Sequence, residues 1–217
     1  ILGRAEGLDK STLNTLGICA MLHDVGKVKI PNEILNKEGN LNEDEFAVMK
    51  MHTVHGKKLL LGQKGLPSIA TEIALSHHEK MDGTGYPSGL SGDDIPYMVK
   101  IVAIVDAYDA MTSGRIYCEA QSAAEALRKL IKSKGNHHDA ELIDKFVECL
   151  GVYPIGSLVE LNSGELGIVL PGENSSNLQP QVMIITDNTK DQCDPSLISI
   201  NKDKRPDSGR PYICLLY

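Results

Sequence analysis

A chain of 217 residues has room for one domain, or one domain with a small appendage. Its 41% hydrophobic content allows a sizeable core, which must be aliphatic because the chain has no Trp and two Phe. A formal net charge of -7 argues against a protein that tracks a nucleic-acid backbone, so no DNA or RNA partner is expected. A small phosphate-bearing ligand stays open, because a bound metal ion can supply positive charge locally.

The first two thirds read as helical. Ser11 and Thr12 are candidate caps for a helix with Leu13, Leu16 and Ala20 on its apolar side, running into His23-Asp24. Leu41 to Phe46 reads as a second helix start, with Glu43, Asp44 and Glu45 suiting the positive end of the macrodipole. That helix should continue through His52 to about Leu61. A third covers Ile69 to His77. The stretch Met81 to Gly92, rich in Gly, Asp, Ser and Pro, reads as a loop. Helical patterns return from Tyr97 to Met111, Ala123 to Ile131 and Glu141 to Cys149.

The character changes at Tyr153-Pro154. Leu158 to Leu161 and Leu166 to Leu170, separated by Asn162-Ser163-Gly164-Glu165, predict a β-hairpin; Val182 to Ile185 and Leu197 to Ile200 are further strand candidates. The expected fold is mainly α: an all-helical domain over residues 1–150 and a small β-rich C-terminal extension over 151–217. The five cysteines form no C-x-x-C pair, so reduced thiols are expected rather than a thiolate zinc site or a disulfide framework. No apolar run is long enough to span a bilayer, and the expected location is cytoplasmic.

The histidines are unevenly placed. In His23-Asp24 an imidazole and a carboxylate stand side by side, a pair suited to a divalent metal; the alternative is a capping Asp beside a surface His. Lys27 follows Asp24 at helical spacing, either as part of a site or as a solvated charge. Adjacent histidines point about 100° apart on a helix, so His77 and His78 can serve one metal only near a helix end, which the following loop supplies. The alternative is two exposed polar residues. His52 and His55 share a helix face. His137-His138, next to Gly135-Asn136, reads as turn chemistry. Asp106 sits among apolar residues with Asp109 nearby, so Asp106 should be largely buried, and it must then be paired with a Lys or Arg or bound to a cation.

Taken in order, these stretches resemble the HD-GYP subgroup of the HD phosphohydrolases. The matching segments are HDVGK at His23 to Lys27, IPNEILNKEGNLNEDEF, HTVHG at His52 to Gly56, HHEKMDGTGYPSGLSGDDIP at His77 to Pro96, and KIVAIVDAYDAMTSGRIY at Lys100 to Tyr117. YPIGSLVELNSGELGIV is similar to the β extension that often follows that domain. The resemblance implies metal ligands at His23, Asp24, His52, His77, His78 and Asp106, with Asp24 shared between two metals and His55 outside the ligand set. It implies phosphate contacts from Lys27 and Arg115, and Tyr86 beside the substrate. The implied cofactors are two divalent ions, Fe or Mn by ligand type, with Zn, Ni or Mg and a third metal left open.

The implied activity is metal-dependent hydrolysis of the 3′,5′-phosphodiester of cyclic di-GMP to pGpG or GMP, in bacterial second-messenger signalling. The alternatives are a catalytically weak cyclic-dinucleotide sensor or docking module, and a phosphodiesterase for another cyclic dinucleotide such as cyclic GMP-AMP. Diguanylate cyclase domains are candidate partners for the Gly85-Tyr86-Pro87 loop. Three departures stand out. The family carries a further His ligand upstream of the HD pair, and nothing before His23 supplies one. The chain opens on Ile1, so that helix is expected to be cut off, along with any sensor, receiver or membrane-anchoring segment. Cys118 stands where the family is usually basic, and Lys100 where it usually has Arg.

Overall fold

The computed structural model describes residues 1–113, 121–151, 153–172, 180–200 and 212–216. Helices come first: α1 (Leu2–Ala5), α2 (Lys10–Leu22), α3 (Asn32–Leu35), α4 (Glu43–Leu60), α5 (Ile69–Ser76), α6 (Tyr97–Thr112), α7 (Ala123–Lys132) and α8 (Ala140–Leu150). Strands follow: β1 (Leu158–Leu161), β2 (Leu166–Leu170), β3 (Gln181–Thr186), β4 (Gln192–Ser199) and β5 (Ile213–Leu216). The fold is mainly α with a small antiparallel sheet at its C-terminal end, as the sequence predicts.

Two compact units emerge from the contacts, Ile1–Ala120 with Lys129–Lys145, and Gln121–Arg128 with Phe146–Tyr217. In the first, Leu16 and Cys19 of α2, Ala70, Ile73 and Ala74 of α5, and Val99, Ile101, Val102 and Ile104 of α6 form an aliphatic core. In the second, the sheet order is β4-β3-β2-β1-β5. Strands β1 and β2 alternate half-buried and buried positions, as expected for a sheet with one packed face. Val159, Leu161, Val169, Val182 and Ile184 fill that face. The predicted hairpin forms with Leu158 opposite Ile168, and β5 adds to the far edge of β1.

Two local devices set up the site. The start of α4 carries a reciprocal cap: Asn42 Oδ1 accepts from the Glu45 N–H at 2.9 Å, and Glu45 Oε2 accepts from the Asn42 N–H at 2.8 Å. The cap of α2 differs from expectation. Asp9, rather than Ser11 or Thr12, is the capping residue; its Oδ1 accepts from both the Ser11 and Thr12 N–H groups, at 2.8 and 3.0 Å. A carboxylate satisfies two orphan donors and meets the helix dipole with full charge, which a hydroxyl does not. No described helix is long and apolar enough to cross a membrane.

Candidate metal centre

The HD pair lies where α2 ends. His23 is the C-terminal capping residue of α2, and Asp24 precedes a short 3-10 helix over Val25–Lys29. Gly26 decides how that turn lies on α4. A Cβ there would fall 1.9 Å from the His52 carbonyl oxygen and 2.4 Å from the Gly56 nitrogen, so only glycine permits the approach. The contact carries Asp24 and Lys27 up to His52. From the other side, α5 ends at Ser76 with His77 as its cap, and the chain turns there. The turn brings the His77 and His78 rings to 4.1 Å between centroids, so adjacent histidines do serve one place.

Two donor sets result, and Asp24 belongs to both. Asp24, His52, His77 and His78 form one; His23, Asp24 and Asp106 form the other, with the donor atoms of each within 4.8 Å of one another. Asp24 Oδ1 lies 3.4 Å from His52 Nε2 and 3.7 Å from His77 Nε2. His23 Nε2 lies 3.2 Å from Asp24 Oδ2 and 3.4 Å from Asp106 Oδ1. Asp106 is only partly buried, and its partner is His23 rather than a Lys or Arg.

The tautomers are fixed from behind. Nδ1 of His23 donates to the Ala20 carbonyl at 2.6 Å, Nδ1 of His52 to Met49 at 2.6 Å, and Nδ1 of His77 to Ile73 at 3.0 Å. Each of these bonds turns Nε2 toward the cluster, the orientation a metal-ligating imidazole needs, and brings the His52 and His77 Nε2 atoms to 3.4 Å. His23 Nε2 and Asp24 Oδ1 are buried and make no hydrogen bond. Buried polar atoms are rarely left so, and a cation satisfies both.

The electrostatics agree. Burial opposes protonation of His23, but Asp106 and Asp24 outweigh it and push its pKa up to about 10. Burial opposes ionisation of Asp24, yet His23, His77 and Lys27 hold its carboxyl well below the usual range. Asp106 is likewise lowered: burial works against the shift and His23 prevails. Burial lowers His52, and burial with the neighbouring His77 lowers His78, so both are neutral donors near pH 7. With His52 and His78 neutral, Asp24 and Asp106 ionised and no thiolate present, the donors suit a divalent cation, which would displace the proton that the two carboxylates favour on His23.

Three of the donors, His52, His78 and Asp106, line a cleft of about 930 Å³ together with Lys27, Met49 and Tyr86, with residues of the segment Ile34 to Leu41 on its other wall. Lys27 Nζ reaches Asp24 Oδ2 at 2.5 Å. Tyr86 stands 4.8 Å from the His78 ring and meets Phe46 edge-on at 6.2 Å. The Lys50 ammonium lies over both aromatic rings, 5.2 Å from Phe46 and 5.9 Å from Tyr86. His55 and Asp109 are not drawn into either donor set; Asp109 accepts from Ser113 Oγ instead. Arg115, Tyr117 and Cys118 lie outside the described residues. Lys100 pairs with Asp139 at 3.4 Å.

Sequence reasoning passed over one residue that shapes this site. Glu79 is buried, and its carboxylate accepts from the Ser88 and Leu90 N–H groups at 2.7 and 3.0 Å. The available signal was an acid at the mouth of a Gly- and Pro-rich loop whose backbone donors need acceptors.

A helical unit with two His/Asp donor sets sharing one carboxylate defines a class of metal-dependent helical proteins. Comparison with known proteins narrows it. The HD domain family model matches residues 1–142. A cyclic di-GMP phosphodiesterase of Pseudomonas aeruginosa is 39% identical over 183 residues, covering 84% of this chain and 44% of that protein. A 3′3′-cGAMP-specific phosphodiesterase of Vibrio cholerae is 39% identical over 148 residues, covering 68% of this chain and 28% of that protein. Among solved structures, an HDGYP protein of Bdellovibrio bacteriovorus matches with a TM-score of 0.56 at 25% identity, covering 66% of this chain and 46% of that one. The chain belongs to the HD domain family, in its HD-GYP branch. It spans less than half the length of each of these relatives.

Proposed function

We propose that the helical domain, residues 1–150, hydrolyses the 3′,5′-phosphodiester of cyclic di-GMP to pGpG or GMP. One observation carries the reading: two donor sets joined by Asp24, three of whose members, His52, His78 and Asp106, line a cleft that can admit a dinucleotide. The proposed ligands are His52, His77, His78 and Asp24 for one ion, and His23, Asp24 and Asp106 for the other. Their character favours Fe or Mn. When bound, such ions acidify water near neutral pH and offset charge on a phosphoryl group. The protein's own residues do the rest. The Ala20, Met49 and Ile73 carbonyls hold three imidazoles in the donor-ready tautomer. Lys27, at the cleft wall, offers its ammonium to a phosphate oxygen, and Arg115 is assigned the same task. Tyr86 and Phe46 supply flat surface for a base.

The Gly85-Tyr86-Pro87 loop, of which Pro87 is exposed and Gly85 and Tyr86 half-buried, is the proposed docking point for a diguanylate cyclase domain. The cGAMP-specific relative supports a second substrate, a mixed cyclic dinucleotide. The test is turnover of cyclic di-GMP and of 3′3′-cGAMP by the metal-loaded chain, with product identified chromatographically. Formation of pGpG or GMP from cyclic di-GMP is expected. Tight binding without turnover of either compound would replace this reading with a sensor.

A further inference from the structure

The Gly- and Pro-rich loop over the cleft is strapped down on both sides. On its inner side, a Cβ on Gly85 would lie 2.5 Å from Glu79 Cα and from the Lys80 nitrogen, so the loop backbone rests directly on the segment following His78. The Tyr86 N–H donates to the His78 carbonyl at 3.3 Å. The Ser88 and Leu90 N–H groups both point at Glu79. Farther along, the Gly92 N–H donates to the Met81 carbonyl at 3.0 Å. On the outer side, the Met81 and Asp82 N–H groups donate to the His137 and Asn136 carbonyls, at 3.1 and 2.8 Å.

Glu79 is the only side chain among these anchors. It is 3% exposed, yet it belongs to neither donor set. Each of its oxygens accepts from one loop amide, on either side of Gly89. An ionised carboxylate is the one side-chain group that accepts twice at this reach without presenting a donor. Tyr86, two residues before Ser88, is the residue this arrangement fixes against His78.

We propose that Glu79 is a positioning residue, whose carboxylate clamps the Ser88 and Leu90 amides and so holds Tyr86 as a preformed wall of the substrate cleft. The inference rests on the cyclic-dinucleotide reading for its kinetic consequence, and on geometry alone for the clamp. Glu79→Gln keeps the shape but turns an NH₂ toward one loop amide, leaving two donors facing each other. Glu79→Asp keeps the charge but falls one methylene short.

The experiment uses the 217-residue chain, wild type and both variants. Four things are measured: amide hydrogen exchange at Ser88 and Leu90, metal per chain, and kinetics on cyclic di-GMP and on bis(p-nitrophenyl) phosphate. The small ester needs the metals but not the wall. Protected Ser88 and Leu90 amides are expected in the wild type, exchanging about tenfold faster in Glu79→Gln, the scale of one lost charge-assisted bond. Metal content should hold. KM for cyclic di-GMP should rise roughly tenfold while turnover of the small ester stays within about twofold, and Glu79→Asp should recover part of the loss. Unprotected amides in the wild type, or unchanged exchange in Glu79→Gln, would overturn the clamp. Loss of metal with equal loss on both esters, or unfolding of both variants, would make Glu79 a folding residue and overturn the proposal too. If the wild type cleaves neither ester, the catalytic reading fails by itself, and the exchange data still decide the clamp.

Discussion

The chain contains two His-His pairs with the same local chemistry and different surroundings. His77-His78 closes α5, and its rings face Asp24 and His52. His137-His138 closes the turn after α7. There the His138 ring pairs with Ser133 Oγ at 2.8 Å, and its carbonyl accepts from the Gly135 N–H at 2.8 Å. His137 offers its own carbonyl to the Met81 N–H at the start of the Gly- and Pro-rich loop, and its ring lies 3.8 Å from the Asp82 carboxylate. Neither histidine of the second pair belongs to a donor set. What separates a candidate ligand pair from a structural pair is therefore not the dipeptide. It is whether the fold gathers a further imidazole and a shared carboxylate around the pair, as His52 and Asp24 join His77 and His78.

The comparison breaks most visibly at Asp24, the carboxylate that joins the first pair to His52 and to a second donor set. Asp24→Ala should reduce cyclic di-GMP hydrolysis by roughly a thousandfold or more, since Lewis-acid stabilisation is worth several kcal/mol. Initial rates with metal in excess check it. Exchanging the pairs gives the next effect. His77→Ala should lose most of its metal and activity, while His137→Ala should keep its metal, by elemental analysis of both proteins. Lys27→Ala comes third. It should retain metal and lose roughly tenfold or more in rate, matching a charge-assisted phosphate contact of ~1.5–3 kcal/mol. The same is expected of Arg115→Ala, and unchanged kinetics in both would remove the phosphate roles.

The smallest effect is on stability. Burial, with His137 and Lys80 nearby, lowers the His138 pKa from 6.5 to about 4. The unfolded chain then binds the proton that the folded chain refuses, so this residue's contribution falls as pH drops from about 6.5 toward 4. Urea unfolding at pH 7 and pH 5 should show a smaller acid loss for His138→Gln than for the wild type.

Much of the helical unit was legible because its signals are local. Asn42 and Glu45 announce the start of α4, and Gly92 and Pro96 bound the loop before α6. Asp9 was harder to read: three polar residues stand close together, and only the helix phase decides which one caps. Strand β5 went unpredicted because Ile213 to Leu216 becomes a strand only by pairing with β1, a contact distant in sequence. Single-turn helices such as α1 and α3 have too few residues to show a period. The site residues were legible through ordered motifs, not singly. The two histidine pairs carry the same signal, and the convergence of Asp24 and Asp106 from separate elements is a property of packing. Glu79 was missed because its partners are backbone amides, which a sequence does not display.

The central claim is that Asp24 is shared between two ligand sets. The measurement that tests it most directly is metal per chain in the wild type, Asp24→Ala and His55→Ala, purified identically and loaded with the same ion. His55 lies on the same helix as His52 but outside both sets, so its variant should match the wild type. Asp24→Ala should lose metal from both sites together. Retention of metal by Asp24→Ala, with loss in His55→Ala, would contradict the account.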